Sequence, residues 1–387
     1  MFNFEYQNPT KILFGEGQIA AITKEIAAGT KVMITYGGGS IKANGVYGQT
    51  VAALAHCTVT EFGGIEPNPE YTTLMKAVEQ GRAEKVELLL AVGGGSVLDG
   101  TKFIAAAMPF EGEAWDIAQK GAEVKSATAL ATILTLPATG SESNPFAVVS
   151  RRETSEKLAF SSPHCYPKFA VLDPETTFSL PERQVANGVV DAFMHTLEQY
   201  MTFPVKAELN DRFAEGILQT LIEVGPKTLA EPRDYDARAT FVWSATMALN
   251  GLIGSGVPQD WATHMIGHEL TALYGMDHAR TLAVVAPHLF RVCRESKREK
   301  LGQYAERVWG IREGSEEERV EAGIRKTEEF FEAMGLPTRL SKYEGVKAET
   351  AQMVATRLES RGFKGLGEKG AVTPEVVAEI LTRSLAA

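Results

Sequence analysis

Cysteine is scarce in this chain and badly placed for pairing. Cys57, Cys165 and Cys293 stand far apart, are odd in number and form no C-x-x-C. That excludes a disulfide scaffold and a thiolate zinc site, and it points to reduced, buried thiols in a cytoplasmic protein. Long apolar runs are also missing. The run from Leu88 to Val92 is typical, far short of the roughly 20 residues that span a bilayer. The opening MFNFEYQNPT lacks a basic segment followed by an apolar one, so no secretory signal is expected. Positive charge is in deficit: 39 Lys and Arg stand against 49 Asp and Glu, a net charge of −10. A broad nucleic-acid surface or an anionic-membrane partner is therefore not expected, although one local basic pocket is still allowed.

Several catalytic signatures are absent as well. No G-x-S-x-G occurs, since Thr139-Gly140-Ser141-Glu142-Ser143 lacks the second glycine. The zinc-protease pattern H-E-x-x-H fails at Met265, between His264 and His268. G-x-G-x-x-G fails at Leu98, and no G-K-[ST] follows any glycine turn.

What is present suits a two-domain globular enzyme of 387 residues, with 44% apolar and 23% charged residues. The first half alternates strands and helices. Short strands are expected at 10–14, 31–36, 86–92, 129–136, 146–150 and 169–172, and helices at 18–28, 46–55 and 74–83. After the turn-rich stretch from Asp173 to Pro181 the strand signal stops. Helices are expected at 184–201, 206–222, 237–250, 261–274, 281–295, 298–309, 316–334, 348–359 and 374–387. The reading is a Rossmann-like α/β domain over residues 1–180 followed by an all-helical domain over 181–387.

Two strands end in the same words: Gly37-Gly38-Gly39-Ser40, and 56 residues later Gly93-Gly94-Gly95-Ser96. A glycine turn between a strand and a helix bares backbone N–H groups and adds the helix's positive end, which suits a phosphate. Ser96 and Asp99 also have the spacing to cap that helix. Two such turns, with Thr139-Gly140-Ser141, point to a dinucleotide. The first turn offers Ser40 and nearby Lys42 but no carboxylate, which favours the 2′-phosphate of NADP(H) over the bare ribose of NAD(H).

Four of the seven histidines fall between Asp191 and His278. Asp191 and His195 are four apart, as are His264 and His268; each pair occupies one helix face. An aspartate with imidazoles suits Zn²⁺ or Fe²⁺ in a site that leaves a coordination position open. Spacing does not choose between His268 and His278. His56, His164 and His288 stand outside the pattern.

Taken together, GGGSVLDGTK from Gly93, LPATGSES from Leu136, LDPETTFSLP from Leu172, the Asp191/His195 helix and His264, His268 and His278 resemble the iron-containing (group III) alcohol dehydrogenases. YGGGSIK, EFGGIEPNPEY and GVPQDWATHMIGHELTALYGMDHA look like the butanol-dehydrogenase-like, NADPH-dependent aldehyde reductase branch. The resemblance implies the dehydroquinate-synthase-like fold of that family and one Zn²⁺ or Fe²⁺ held by Asp191, His195, His264 and His278. His268 would then stand near the substrate oxygen as a catalytic residue beside His264. It further implies that Gly94, Gly95 and Ser96 hold the pyrophosphate near Asp99, that Thr135 and Thr139 border the adenosine, and that Lys157 and Leu180 flank the cofactor. The final ligand departs from the common His-Gly, since Ala279 follows His278. The implied activity interconverts small aldehydes and primary alcohols with NADP(H), in a homodimer whose contacts involve the alternating Phe2, Phe4 and Tyr6. A lyase resembling dehydroquinate synthase is the rival of the same architecture, but the segment from His264 to His278 has no lysine or arginine for a phosphorylated substrate. A non-catalytic dinucleotide- and metal-binding protein is the other alternative.

Overall fold

The computed structural model describes residues 1–386 and divides into two compact units. The α/β unit comprises Gln7–Pro181 with Pro232–Thr246, and the helical unit Met1–Tyr6, Glu182–Glu231 and Met247–Ala387. Two segments thus cross the expected single boundary. Residues 232–246 return to the α/β unit, where Arg238 Nη1 donates to the Thr177 carbonyl at 3.0 Å and the Phe14 and Trp243 rings meet edge to face. Met1–Tyr6 joins the helical unit, where the Phe2 N–H donates to the Gly256 carbonyl at 2.8 Å.

Six strands of the α/β unit form one parallel sheet: β1 (Lys11–Phe14), β2 (Lys31–Thr35), β3 (Thr58–Phe62), β4 (Leu88–Gly94), β5 (Ala129–Leu136) and, after a hairpin, β8 (Phe169–Leu172). The hairpin is β6 (Phe146–Arg151) with β7 (Glu156–Ser161), paired antiparallel. The order across the sheet is β1-β8-β5-β4-β2-β3. Strands buried on both faces read as continuous apolar runs because helices cover each side. Leu89 and Ala91 point into one core with Leu74 and Phe103; Leu88, Leu90 and Val92 point into the other with Ile19, Ile22 and Val46. Strands β3 and β7 escaped the sequence reading because TVTEF and EKLAFS mix polar and apolar residues without a clean run.

The order places a reversal between β2 and β4. From β2 the chain steps outward to β3, then returns to the other side of β2 and continues β4 to β5. The carboxyl ends of strands at such a reversal are where open α/β sheets bind ligands. Both glycine turns lie there.

In the helical unit, Glu182–Tyr200 and Glu208–Ala230 pack closely, because a Cβ on Gly225 would sit 2.8 Å from Val189 Cγ1. The second of these was expected to end near Ile222, before Pro226. It continues through the proline, so packing outweighs the roughly 3 kcal/mol that an interior proline costs. Helices Ala262–Tyr274 and His278–Val292 follow one another across the Gly275 turn. They touch at Gly267, whose Cβ position lies 2.6 Å from Thr281 Oγ1.

Gly267→Ala tests that contact. Thr281 Oγ1 is fixed by donating to the His278 carbonyl at 2.7 Å, so the helices must separate or that bond must break. We expect a loss of about 1–3 kcal/mol, read as a lower urea midpoint at unchanged slope. An unchanged midpoint would refute the close approach.

Candidate metal and dinucleotide sites

The helix Glu182–Tyr200 is buried almost all round from Val185 onward. Asp191, His195 and Glu198 follow one another at i, i+4 and i+7, and so share a face. The helix Ala262–Tyr274 supplies His264 and His268, and His278 opens the next helix. The loop before His278 is tied down by Asp277, whose Oδ2 accepts from Arg183 Nε at 2.7 Å and Asn187 Nδ2 at 2.8 Å.

These elements bring the expected residues together. Asp191, His195 and His264 are buried and offer ligand atoms within 4.8 Å of one another. His278 Nε2 lies 3.7 Å and His195 Nδ1 3.8 Å from Asp191 Oδ1. Those gaps are too long for hydrogen bonds, but they suit atoms that share one ion at about 2.0–2.2 Å. Asp191 Oδ1 and His195 Nδ1 are buried and make no hydrogen bond among the described residues, a state that normally signals an absent partner. Burial pushes the His195 imidazole down to about 4 against the opposing pull of Asp191, so the ring is neutral and has a lone pair to give. The donor set therefore fits a divalent ion. His268 stands one ring further out, its centroid 5.2 Å from His278 and 6.5 Å from His264.

One residue here went unread in the sequence. Glu198 accepts from the Thr263 N–H at 2.7 Å and contacts His264 Nδ1 with its other oxygen. Burial, with Asp260 adding to it, raises its pKa well above the ordinary range. Trp261 adopts a left-handed backbone with φ +60° just before the His264 helix, and its ring lies 5.2 Å from His264 and 6.2 Å from His195. A bulky residue at positive φ costs energy and tends to occur where geometry serves a site.

In the α/β unit the expected cofactor residues gather at the sheet reversal. Gly37, Gly38, Gly39 and Ser40 follow β2; Gly94 closes β4, and Gly95 and Ser96 open the helix after it; Thr135 lies in β5 and Thr139 just beyond it. A Cβ on Gly94 would sit 2.8 Å from Leu136 and one on Gly95 2.7 Å from Thr139, so packing by itself already requires glycine. Ser96 does not cap the helix it opens: its Oγ accepts from the Asn68 N–H at 3.3 Å, while Lys157 Nζ donates to Asn68 Oδ1 at 2.9 Å. Leu180 donates its N–H to the Thr177 carbonyl at 3.1 Å. Asp99 spends both oxygens on the protein, accepting from Ser141 Oγ at 2.6 Å and the Val148 N–H at 2.9 Å. Beside it, the fully buried Lys102 Nζ donates to Ser141 Oγ, Asn144 Oδ1 and the Phe146 carbonyl at 2.7–3.0 Å. Together they anchor the loop after β5. Lys42 is engaged by Glu61 at 3.1 Å and lies over the Tyr36 and Tyr47 rings.

His56 and His288 contact carbonyl oxygens of Ile26 and Thr338. Trp115 is core, 1% exposed and packed on Tyr71.

Two family models match in succession. The iron-containing alcohol dehydrogenase model covers residues 9–174, and the C-terminal model of the Fe-containing alcohol dehydrogenase family covers residues 185–384. The chain belongs to the iron-containing alcohol dehydrogenase family. It is 58% identical over 383 residues to the NADPH-dependent aldehyde reductase YqhD of Escherichia coli, covering 98% of this chain and 99% of that one. It is 39% identical to the probable NADH-dependent butanol dehydrogenase 1 of Bacillus subtilis, over the full length of both. Among solved structures, E. coli YqhD superposes with a TM-score of 0.97 at 57% identity over 99% of each chain. The NADH-dependent butanol dehydrogenase A of Thermotoga maritima gives 0.95 at 37% identity, over 100% of this chain and 99% of that one. The parallel-sheet and helical architecture is that of this family.

If the buried donor set holds an ion, removing the ion must destabilise the fold. With Zn²⁺ at a hundredfold its dissociation constant, the gain is about 2.7 kcal/mol, seen as a higher thermal midpoint than in chelator-treated protein. In Asp191→Asn that difference should vanish; a variant still stabilised by Zn²⁺ to the same degree would refute Asp191 as a ligand.

Proposed function

We propose that this chain is an NADPH-dependent aldehyde reductase that also runs in reverse as a dehydrogenase of primary alcohols. The observation that carries this reading is the buried, unsatisfied pair of Asp191 Oδ1 and His195 Nδ1 beside His264 and His278. The name of the 58%-identical E. coli relative supports NADPH and aldehyde. We assign Asp191, His195, His264 and His278 to a divalent ion, Zn²⁺ or Fe²⁺, since one carboxylate and three imidazoles suit either. When bound, the ion supplies Lewis acidity toward a carbonyl oxygen, and NADPH supplies hydride.

The chain's own residues have separate tasks. The N–H groups of Gly94, Gly95 and Ser96, at the start of a 13-residue helix, bind the pyrophosphate. Thr135, Thr139, Lys157 and Leu180 border the rest of the cofactor, and Asp99 with Lys102 holds the adjoining loop in place. Gly37 to Ser40 take the 2′-phosphate. Because Lys42 is already committed to Glu61, backbone N–H groups and the Ser40 hydroxyl carry that recognition. His268, adjacent to His278 but outside the closest set, gives a proton to the product oxygen from its ring nitrogen. Trp261 presents an apolar face beside the imidazoles and suits a small aliphatic or aromatic aldehyde. We further propose a cytoplasmic homodimer, supported by the free cysteines and by the exposed Phe2, Phe4 and Tyr6.

An aldehyde panel followed at the NADPH absorbance band tests the activity directly. Metal-replete protein should consume NADPH, and His264→Ala should lose both bound metal and turnover; an active, metal-free His264→Ala protein would overturn the assignment. Cofactor choice has its own test. A Cβ on Gly38 meets nothing within 4 Å, so Gly38→Asp places a carboxylate there without a clash. Its NADPH-to-NADH ratio of kcat/KM should fall by at least about tenfold, equivalent to about 1.4 kcal/mol. An unmoved ratio would remove the first glycine turn from the ribose site.

A further inference from the structure

Glu198 is buried, 1% exposed, on the same helix face as Asp191 and His195. Its two carboxyl oxygens face two different groups. Oε1 meets the backbone N–H of Thr263 at 2.7 Å, a donor that cannot reverse its role. Oε2 meets His264 Nδ1. The backbone of Glu198 is tied to the start of the His264 helix as well. The Glu198 carbonyl accepts from the Asp260 N–H at 3.1 Å, and Asp260 Oδ1 accepts from the Ala262 N–H at 2.8 Å, at the start of the His264 helix. Asp260 Oδ2 is gripped by the buried Lys297 Nζ at 2.7 Å.

We propose that Glu198 is a positioning residue that fixes the tautomer of His264, accepting a proton-bearing Nδ1 so that Nε2 keeps its lone pair for the metal ion. This rests on the assignment of His264 as a ligand. A neutral imidazole has one donor and one acceptor nitrogen, and the hydrogen bond made by one decides what the other can do. Carboxylates that receive the far N–H of a ligating histidine orient the ring and raise its basicity, and losing them typically lowers metal affinity about 10–100-fold.

The near-isosteric Glu198→Gln separates this role from packing. A carboxylate satisfies two donors at once, but an amide offers one oxygen and one NH₂. With the oxygen on Thr263 N–H, the NH₂ donates to His264 Nδ1 and drives the ring proton to Nε2. Flipped, the NH₂ faces the Thr263 N–H, donor against donor. The first arrangement takes the Nε2 lone pair from His264; the second keeps it only by setting two donors against each other at Thr263.

The experiment measures the Zn²⁺ dissociation constant by competition with a chromophoric chelator, together with the thermal midpoint of chelator-treated protein. Wild type should bind Zn²⁺, and Glu198→Gln should bind it about 10–100-fold more weakly while its metal-free midpoint stays close to that of wild type. Equal Zn²⁺ affinity in the two proteins overturns the proposal and leaves the metal assignment standing. A wild type that binds no divalent ion takes the metal assignment down, and the proposal with it. Should the variant not fold, ¹⁵N-histidine spectra of Zn²⁺-loaded wild type decide without it. A His264 ring protonated at Nδ1 and coordinated through Nε2 supports the proposal; coordination through Nδ1 overturns it.

Discussion

The burial of Asp191 is the constraint around which the helical unit is built. A carboxylate taken out of water is expensive unless a positive charge or several donors stand against it. Asp191 is 4% exposed, its Oδ1 makes no hydrogen bond among the described residues, and its nearest polar neighbours are imidazoles. The neutral His195 ring does not compensate a carboxylate; its lone pair competes with it for the same cation. The close helix contacts at Gly225 and Gly267 and the Asp277 anchor before His278 all bring these groups nearer together. Packing energy gathers the donors, and the ion is what makes the gathering stable.

The α/β unit meets a different requirement: under the proposed cofactor assignment, its glycine turns bare backbone N–H groups for phosphates while staying tightly packed. Its answer is a sheet reversal between β2 and β4 with a glycine turn on each side. The second turn is crowded, because any side chain at Gly94 or Gly95 would strike Leu136 or Thr139. The first is open at Gly38, which leaves room for a ligand group. The loop after β5 is held from beneath by Asp99 and Lys102. Burial lowers the Lys102 pKa to about 8 against the pull of Asp99, and the three acceptors around its ammonium explain how a charged lysine is tolerated there.

Much of this was legible because it is carried by period and spacing. The apolar runs of β4 and β5, the two GGGS turns and the i, i+4 pairs at Asp191/His195 and His264/His268 are local signals. Edge strand β3 and hairpin strand β7 lack such a signal, since half-exposed strands need not be apolar. Pro226 misled because propensity is a weak prior against a packed helix face. Glu198 stood in plain view, seven residues after Asp191, yet its partners Thr263 and His264 lie more than sixty residues away. Asp99 was read as part of a helix cap, whereas its oxygens go to Ser141 and Val148. Side-chain partners set by the fold, rather than by local sequence, are what the reading missed.

Charge balance joins these residues into one argument about the ion. Lys297 contacts Asp260 at 2.7 Å and Glu368 at 3.0 Å, all three buried or nearly so. Hydrogen bonding from Glu368 and the Lys297 charge hold Asp260 below the ordinary carboxylate range despite its burial, while burial pushes Glu368 up. Of the two, Asp260 is the readier to ionise and Glu368 the readier to hold a proton, so the Lys297 ammonium is spent chiefly on Asp260. That ammonium is engaged within its own triad. Asp191 and Glu198 remain, one beside the imidazole nitrogens and one behind His264. Two buried carboxylates with no ammonium of their own match a charge of two, and the field of such an ion favours the ionised form of Glu198 over the acid that burial alone prefers. The metal and the orienting carboxylate thus stabilise each other through the His264 ring, and a divalent ion suits this site better than a monovalent one.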